Sequence, residues 1–112
     1  MRIYINDNGI TPILTFVQGE KRNLTIEVYG LSQTPTAVTL YAVLPNGECA
    51  TTTCTDISHS NGHTVFEANT EQLTQFKGNV MCQAEFTVGT DITVSSTFIL
   101  SIKKSIRKEY GL

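Results

Sequence analysis

The sequence predicts an all-β domain: an antiparallel sandwich of about seven or eight short strands with one short helix. Three observations lead there. Apolar residues recur with a period of two through most of the chain, the mark of strands with one wet and one buried face. Turn signals built on glycine, asparagine and proline separate these runs at regular spacing. Helical patterns do not alternate with the strands, so a parallel sheet wound with crossover helices is not indicated.

The longest pattern runs from Gly78 to Ile102, and the rest of the chain is organised around it. Val80, Cys82, Ala84, Phe86 and Val88 alternate with Met81, Gln83, Glu85 and Thr87. After the turn Gly89-Thr90-Asp91, Ile92, Val94, Ser96, Phe98, Leu100 and Ile102 share the next apolar parity. A hairpin of this length does not stand alone in water, so a second layer must cover its apolar face.

Ahead of it, Arg2-Ile3-Tyr4-Ile5 alternates as a short first strand that ends at Asp7-Asn8-Gly9. Pro12 opens the run Ile13 to Val17, and proline at the head of a run suits an edge strand. The polar bend Gln18-Gly19-Glu20-Lys21 leads to a strand with Leu24, Ile26 and Val28 on one parity, closed by Gly30. Beyond the Ser32 to Pro35 loop, Thr36 to Leu44 sets Val38, Leu40, Ala42 and Leu44 on one side. Pro45-Asn46-Gly47-Glu48 is a tight turn, because Asn-Gly readily adopts positive φ. Cys49 to Ile57 reads as one threonine-rich strand suited to a partly solvated edge, and Ser58 to Gly62 as a polar loop. His63 to Ala68 is a short strand with Phe66 and Ala68 inward. Asn69 to Phe76 carries the expected helix: Asn69 as cap, Gln72 completing a capping-box pattern, Leu73 and Phe76 on one side, and Gly78 as the stop. The sandwich is expected to span 1–103, with 104–112 a basic C-terminal tail that starts a helix or linker.

The totals narrow the functional classes. A chain of 112 residues is one domain, and 40% apolar with 16% charged residues describes a folded globular chain. A net charge of −2 gives no reason to expect a nucleic-acid partner. No window approaches the apolar length of a membrane span, so no membrane partner is expected either. Nothing near Met1 has the pattern of a signal peptide, which points to a cytoplasmic origin. The three cysteines, Cys49, Cys54 and Cys82, are odd in number and read as reduced thiols. The sequon Asn23-Leu24-Thr25 is expected to stay unmodified.

Several patterns touch on chemistry without defining a site. Cys49, Cys54, His59 and His63 form a C-x4-C-x4-H-x3-H string, but the gap between the cysteine and histidine pairs is far shorter than in a zinc finger. Asp56, Ser58, Ser60 and Glu67 match part of a calcium-loop spacing, yet Asn61 replaces its glycine and the flanks read as strands. Asp56, His59 and the nearby serines are loop neighbours, and neighbours on one loop seldom converge as a triad. Neither a Gly-x-Ser-x-Gly turn nor a glycine-rich phosphate loop occurs. The expectation is therefore no enzyme, no metal and no cofactor. Tyr41 and Val43 stand out instead: they lie on the outer parity of their strand, where either a partner covers them, which makes them the interface candidates, or a neighbouring loop or the first strand does.

The order of several motifs carries a family likeness. Phe16-Val17-Gln18-Gly19-Glu20 leads into an alternating strand, and Leu44-Pro45-Asn46-Gly47 closes a central one. A capped turn with Leu73 leads to Gly78 and a strand ending at Phe86, followed by Ser96-Thr97-Phe98-Ile99-Leu100-Ser101-Ile102. This order resembles the N-terminal immunoglobulin-like domain of phage baseplate upper proteins, found in tailed phages and prophages of Gram-positive bacteria. Glu20 stands where an aspartate is expected, and Met81 or Cys82 where a tyrosine is common. The resemblance implies an immunoglobulin-like sandwich that works as a structural assembly module, docking receptor-binding apparatus to the tail. It implies other baseplate or tail proteins as partners, a homotrimer joined at the C-terminal end, and assembly in the bacterial cytoplasm into the virion. The alternative is a carbohydrate- or cell-surface-binding module on the same scaffold. The chain has no tryptophan and scattered tyrosines to stack on sugar rings, which counts against that alternative.

Overall fold

The structure, a computed structural model, describes residues 2–5 and 11–106, with side chains from residue 11 onward. The expected features of residues 6–10 and 107–112, the Asp7-Asn8-Gly9 turn and most of the tail, lie outside the described residues. The chain forms β1 (Arg2–Ile5), β2 (Ile13–Val17), β3 (Asn23–Tyr29), β4 (Ala37–Val43), β5 (Cys49–Thr53), β6 (Thr55–Ser60), β7 (His63–Asn69), β8 (Gly78–Val88), β9 (Asp91–Val94) and β10 (Phe98–Lys103). They build two sheets. One has the order β1-β3-β7-β6; the other runs β2-β10-β8-β4-β5, with β9 paired to the far part of β8. The fold is an all-β sandwich, with nine strands from Ile13 to Lys103 and β1 ahead of them.

The strand count exceeds the expected seven or eight because two runs that look continuous in sequence are broken. The first break is at Cys54. Its buried side chain and its N–H, which donates to the Val38 carbonyl at 2.9 Å, anchor the chain where it leaves one sheet for the other. Cys49 to Ile57 is thus two strands in different sheets, and Ser58 to Ser60 extends β6 where a loop is expected. The β6–β7 connection is the pair Asn61-Gly62, both at positive φ (54° and 76°), the geometry of a tight two-residue hairpin.

The second break is a β-bulge in the returning arm of the long hairpin. Thr93 faces Phe86 and Ile92 faces Thr87, whereas Phe98 faces Cys82 and Ile99 faces Met81, so the returning arm gains one residue between Val94 and Phe98. Ser95 holds the bulge. Its N–H donates to the Ala84 carbonyl at 2.8 Å, its Oγ accepts from the Ala84 N–H at 3.0 Å, and Oγ donates to the Ser96 carbonyl at 2.8 Å. The extra residue reverses the alternation. Phe98, Leu100 and Ile102 are buried, but Ile92, Val94 and Ser96, expected beside them, are exposed.

The sheets are not wholly antiparallel. β1 runs parallel to β3, and β2 runs parallel to β10. Neither pair is joined by a tight hairpin: β2 lies in the other sheet between β1 and β3, and β10 comes from the far end of the chain. β2 is an edge strand, as Pro12 at its head suggests.

The expected helix over Asn69 to Phe76 is absent; the segment is a series of turns. Asn69 Oδ1 does accept a bond, from the Glu71 N–H at 2.8 Å, and the Leu73 N–H donates to the Thr70 carbonyl. The following groups are bound elsewhere. Thr74 Oγ1 donates to the Glu20 carbonyl at 2.8 Å, the Gly19 N–H donates to the Thr74 carbonyl, and Gln18 Nε2 donates to the Gln75 carbonyl. These bonds to the β2–β3 bend replace the i to i+4 ladder, and local propensity gives way to them. Leu73 is buried by this arrangement, while Phe76, expected to share its side, is exposed.

The core lies between the sheets and contains the inward residues of both. Phe16, Phe66, Phe86 and Phe98 are its largest side chains. Phe66 of β7 meets Phe86 of β8 edge to face, with centroids 5.5 Å apart and planes at 79°. Gly78 begins β8 at φ +125°, and a Cβ there would stand 2.9 Å from Pro45 Cβ. We predict that Phe86→Ala costs about 3–5 kcal/mol in urea unfolding, from lost burial and a cavity between the sheets. Gly78→Ala is expected to cost more than about 1 kcal/mol, since both the backbone angle and Pro45 oppose the methyl.

Candidate functional site

The outer face of the β2-β10-β8-β4-β5 sheet carries the main surface feature, and the strand registers assemble it. Val80, Ala42 and Leu100 point inward, so their neighbours Met81, Val43 and Ile99 point out. Ile13 then stands beside Ile99, Ile99 opposite Met81, Met81 opposite Val43, and Val43 opposite Cys49. One row across five strands is thus apolar from edge to edge. Ile13 is 62% exposed, Met81 51% and Val43 47%. On one side of the row run Thr15, Ser101 and Asn79; on the other run Gln83, Tyr41 and Thr51.

The two interface candidates therefore sit side by side on this face. Val43 belongs to the apolar row, and Tyr41, 45% exposed, to the row next to it. Together with Cys49, Met81, Gln83 and Thr97 they line a shallow hollow of about 200 Å³. Past the bulge, the outward side chains of Ile92 and Val94 add to the same face. Charged groups keep to its margins: Glu85 faces Val94, and Lys103 lies beside Val17. A wide apolar strip with uncharged polar flanks suits contact with another protein surface. Sequence parity reached Tyr41 and Val43, but not Ile13, Met81, Ile99 and Cys49, because their adjacency depends on cross-strand register.

The remaining candidate residues are dispersed. Cys49 is exposed on the outer face and Cys54 is buried in the core. His59 Nδ1 lies 2.7 Å from Thr64 Oγ1, and His63 Nε2 lies 2.8 Å from Glu27 Oε1. Among the described residues, no group of three or more His, Cys, Asp and Glu is placed to hold a metal ion. The string Cys49, Cys54, His59, His63 is accordingly not drawn together. Of the calcium-loop positions, Asp56 takes positive φ at the β6 irregularity, and Glu67 faces Thr55 across the β6–β7 pair.

One polar group escapes sequence reading. Glu27 lies on the outer parity of β3, between Ile26 and Val28, yet is only 2% exposed. Its partner His63 stacks on Tyr29 with ring centroids 4.6 Å apart. Tyr29 and His63 are register partners on β3 and β7, so both belong to the outer side of the other sheet. The cluster braces that sheet by joining β3 to β7.

The comparisons with known proteins add no relative to this geometry: no protein-family model matches the chain, and no curated protein matches it.

Burial pushes the Cys54 thiol up to about 11 and the Cys82 thiol up to about 12. In the folded protein at pH 8, a thiol reagent is expected to label Cys49 alone, with Cys54 and Cys82 reacting only in denaturant. The raised values also set a sign. Below pH 9 the thiols are neutral in both folded and unfolded chains. As pH rises above 9 the unfolded thiols ionise first, so their contribution to stability falls with pH until the folded thiols ionise too. A Cys54→Ala/Cys82→Ala variant, compared with the parent by melting between pH 8 and about 11, should show the weaker pH dependence.

Proposed function

We propose that this chain is a non-enzymatic assembly module that docks through the outer face of its six-stranded sheet. The single observation that carries the reading is the apolar row from Ile13 to Cys49, five strands wide and bordered by Tyr41. A sheet face with this composition gives a partner a flat, preorganised surface at small conformational cost.

The immunoglobulin-like assignment belongs to the same proposal and is supported by strand order. In that sandwich type one sheet is ABED, and the other is GFC extended by C′. Here β1-β3-β7-β6 takes the place of the first and β10-β8-β4-β5 that of the second, with β2 beside β10. The place of action we propose is a phage or prophage tail baseplate, assembled in the bacterial cytoplasm, with other tail proteins as partners and a homotrimer joined at the C-terminal end. Its support is the ordered motifs from Phe16 to Ile102 that resemble the baseplate upper-protein domain.

A second reading, a carbohydrate- or cell-surface-binding module, draws on a different feature. A hollow of about 500 Å³ beside β5 is lined by Thr51, Thr52, Thr53, Asn69, Glu71, Gln72 and Gln75. Hydroxyl, amide and carboxylate groups there suit polyol hydroxyls, although no aromatic ring is among them. A reproducible hit on a glycan array would favour this reading over the first.

Cross-linking to purified tail-baseplate proteins tests the main proposal. The parent chain is expected to form a specific adduct, and Val43→Glu/Met81→Glu to weaken binding about tenfold or more while melting near the parent. A chain that engages no baseplate component, or a variant that binds unchanged, would overturn it.

A further inference from the structure

Strand β5 is a bare edge. It pairs with β4 on one side and, among the described residues, with no strand on the other. The other edges carry devices that discourage strand addition. Pro12 heads β2; β1 is four residues long and opens with Arg2; β6 is broken by an irregularity that includes Asp56 at φ +52°; β9 is four residues long and opens with Asp91. β5, Cys49-Ala50-Thr51-Thr52-Thr53, has no charge, proline, glycine or bulge. It also has room beside it: the hollow of about 500 Å³ separates Thr51, Thr52 and Thr53 from Asn69, Gln72 and Gln75.

We infer that a second copy of this chain occupies that edge, β5 pairing antiparallel with β5 of its partner about a two-fold axis at Thr51. Thr51 is the midpoint of the strand, so this register alone pairs all five residues of each copy. Thr51 then faces its own counterpart, Ala50 faces Thr52, and Cys49 faces Thr53. Both members of every pair lie on the same side of the joined sheet, as continuous pleating requires. All are small or β-branched, and no like charges meet. A second copy is favoured over a loose peptide because its strand is already extended and held by β4, so pairing orders no disordered segment. The same two-fold contact is self-complementary and closes at two copies. It sets the apolar rows of both copies on one side of a single sheet. The inference does not rest on the docking face of the baseplate reading, but it opposes that reading's homotrimer: a dimer overturns the trimer and leaves the docking face standing, and a trimer overturns the dimer.

Sedimentation of the whole chain from about 1 μM to 1 mM tests it. The expected result is a monomer–dimer equilibrium. Thr51→Lys sets two ammonium groups face to face at the axis and should raise the dissociation constant about tenfold or more. Thr51 is exposed, so the melting point of that variant should stay near the parent's. Thr51→Cys in a Cys49→Ser background should give an oxidised, covalent dimer, because Cys54 and Cys82 are buried and the new thiol pairs with its own copy. A monomer throughout the range, a trimer, or a dimer that Thr51→Lys leaves unchanged would overturn the inference.

Discussion

The meeting of Phe66 and Phe86 across the two sheets is the contact on which the rest of the molecule depends. The rings come from different layers and lock edge to face, so each sheet fixes the rotation of the other. Once Phe86 is inside, Val80, Cys82 and Ala84 on the same parity of β8 must be inside as well, and Met81, Gln83 and Glu85 outside. The register of β8 with β4 and β10 passes that choice to the next strands. The apolar row on the outer face is thus a consequence of the core. The pairing that closes the interior also lines up Ile99, Met81 and Val43.

Much of the sandwich was legible in sequence because alternation is a local property. The boundaries of β2, β3, β4 and β7, and the turn at Asn46-Gly47, follow from residues within a few positions of one another. What was not legible depended on partners distant along the chain. Cys54 looks like one more residue of a threonine-rich run, and only its bond to Val38 shows where the chain changes sheets. The Asn69 to Phe76 segment has a helix cap and a helix stop, yet the bend at Gln18 to Glu20 takes its hydrogen bonds. Asn61-Gly62 is a local signal as strong as Asn46-Gly47, but the polar residues on either side of it show no apolar alternation to mark them as strands.

The candidate site divides the same way. Parity within β4 was enough to single out Tyr41 and Val43. Their neighbours come from β2, β8, β10 and β5, and no spacing in the chain places Ile13 near Cys49. Glu27 was hidden for a related reason: on its own strand it sits where exposed residues belong, and its burial depends on groups from other strands, His63 among them. The surface that results has few charges at its centre and no convergence of acids, thiols and imidazoles among the described residues.

The bulge at Ser95 gives this part of the chain an unequal tolerance to change. A serine hydroxyl bonded to the Ala84 N–H stands in for a missing rung, so replacing one side chain there disturbs one rung. Deleting one residue there would remove the bulge and merge the two registers into one, leaving Ile92 and Val94 facing outward and Phe98, Leu100 and Ile102 facing inward as they do now. This stretch therefore tolerates the loss of its extra residue without turning either arm over, whereas the same length paired without a bulge would set Ile92 and Val94 inward beside Phe98.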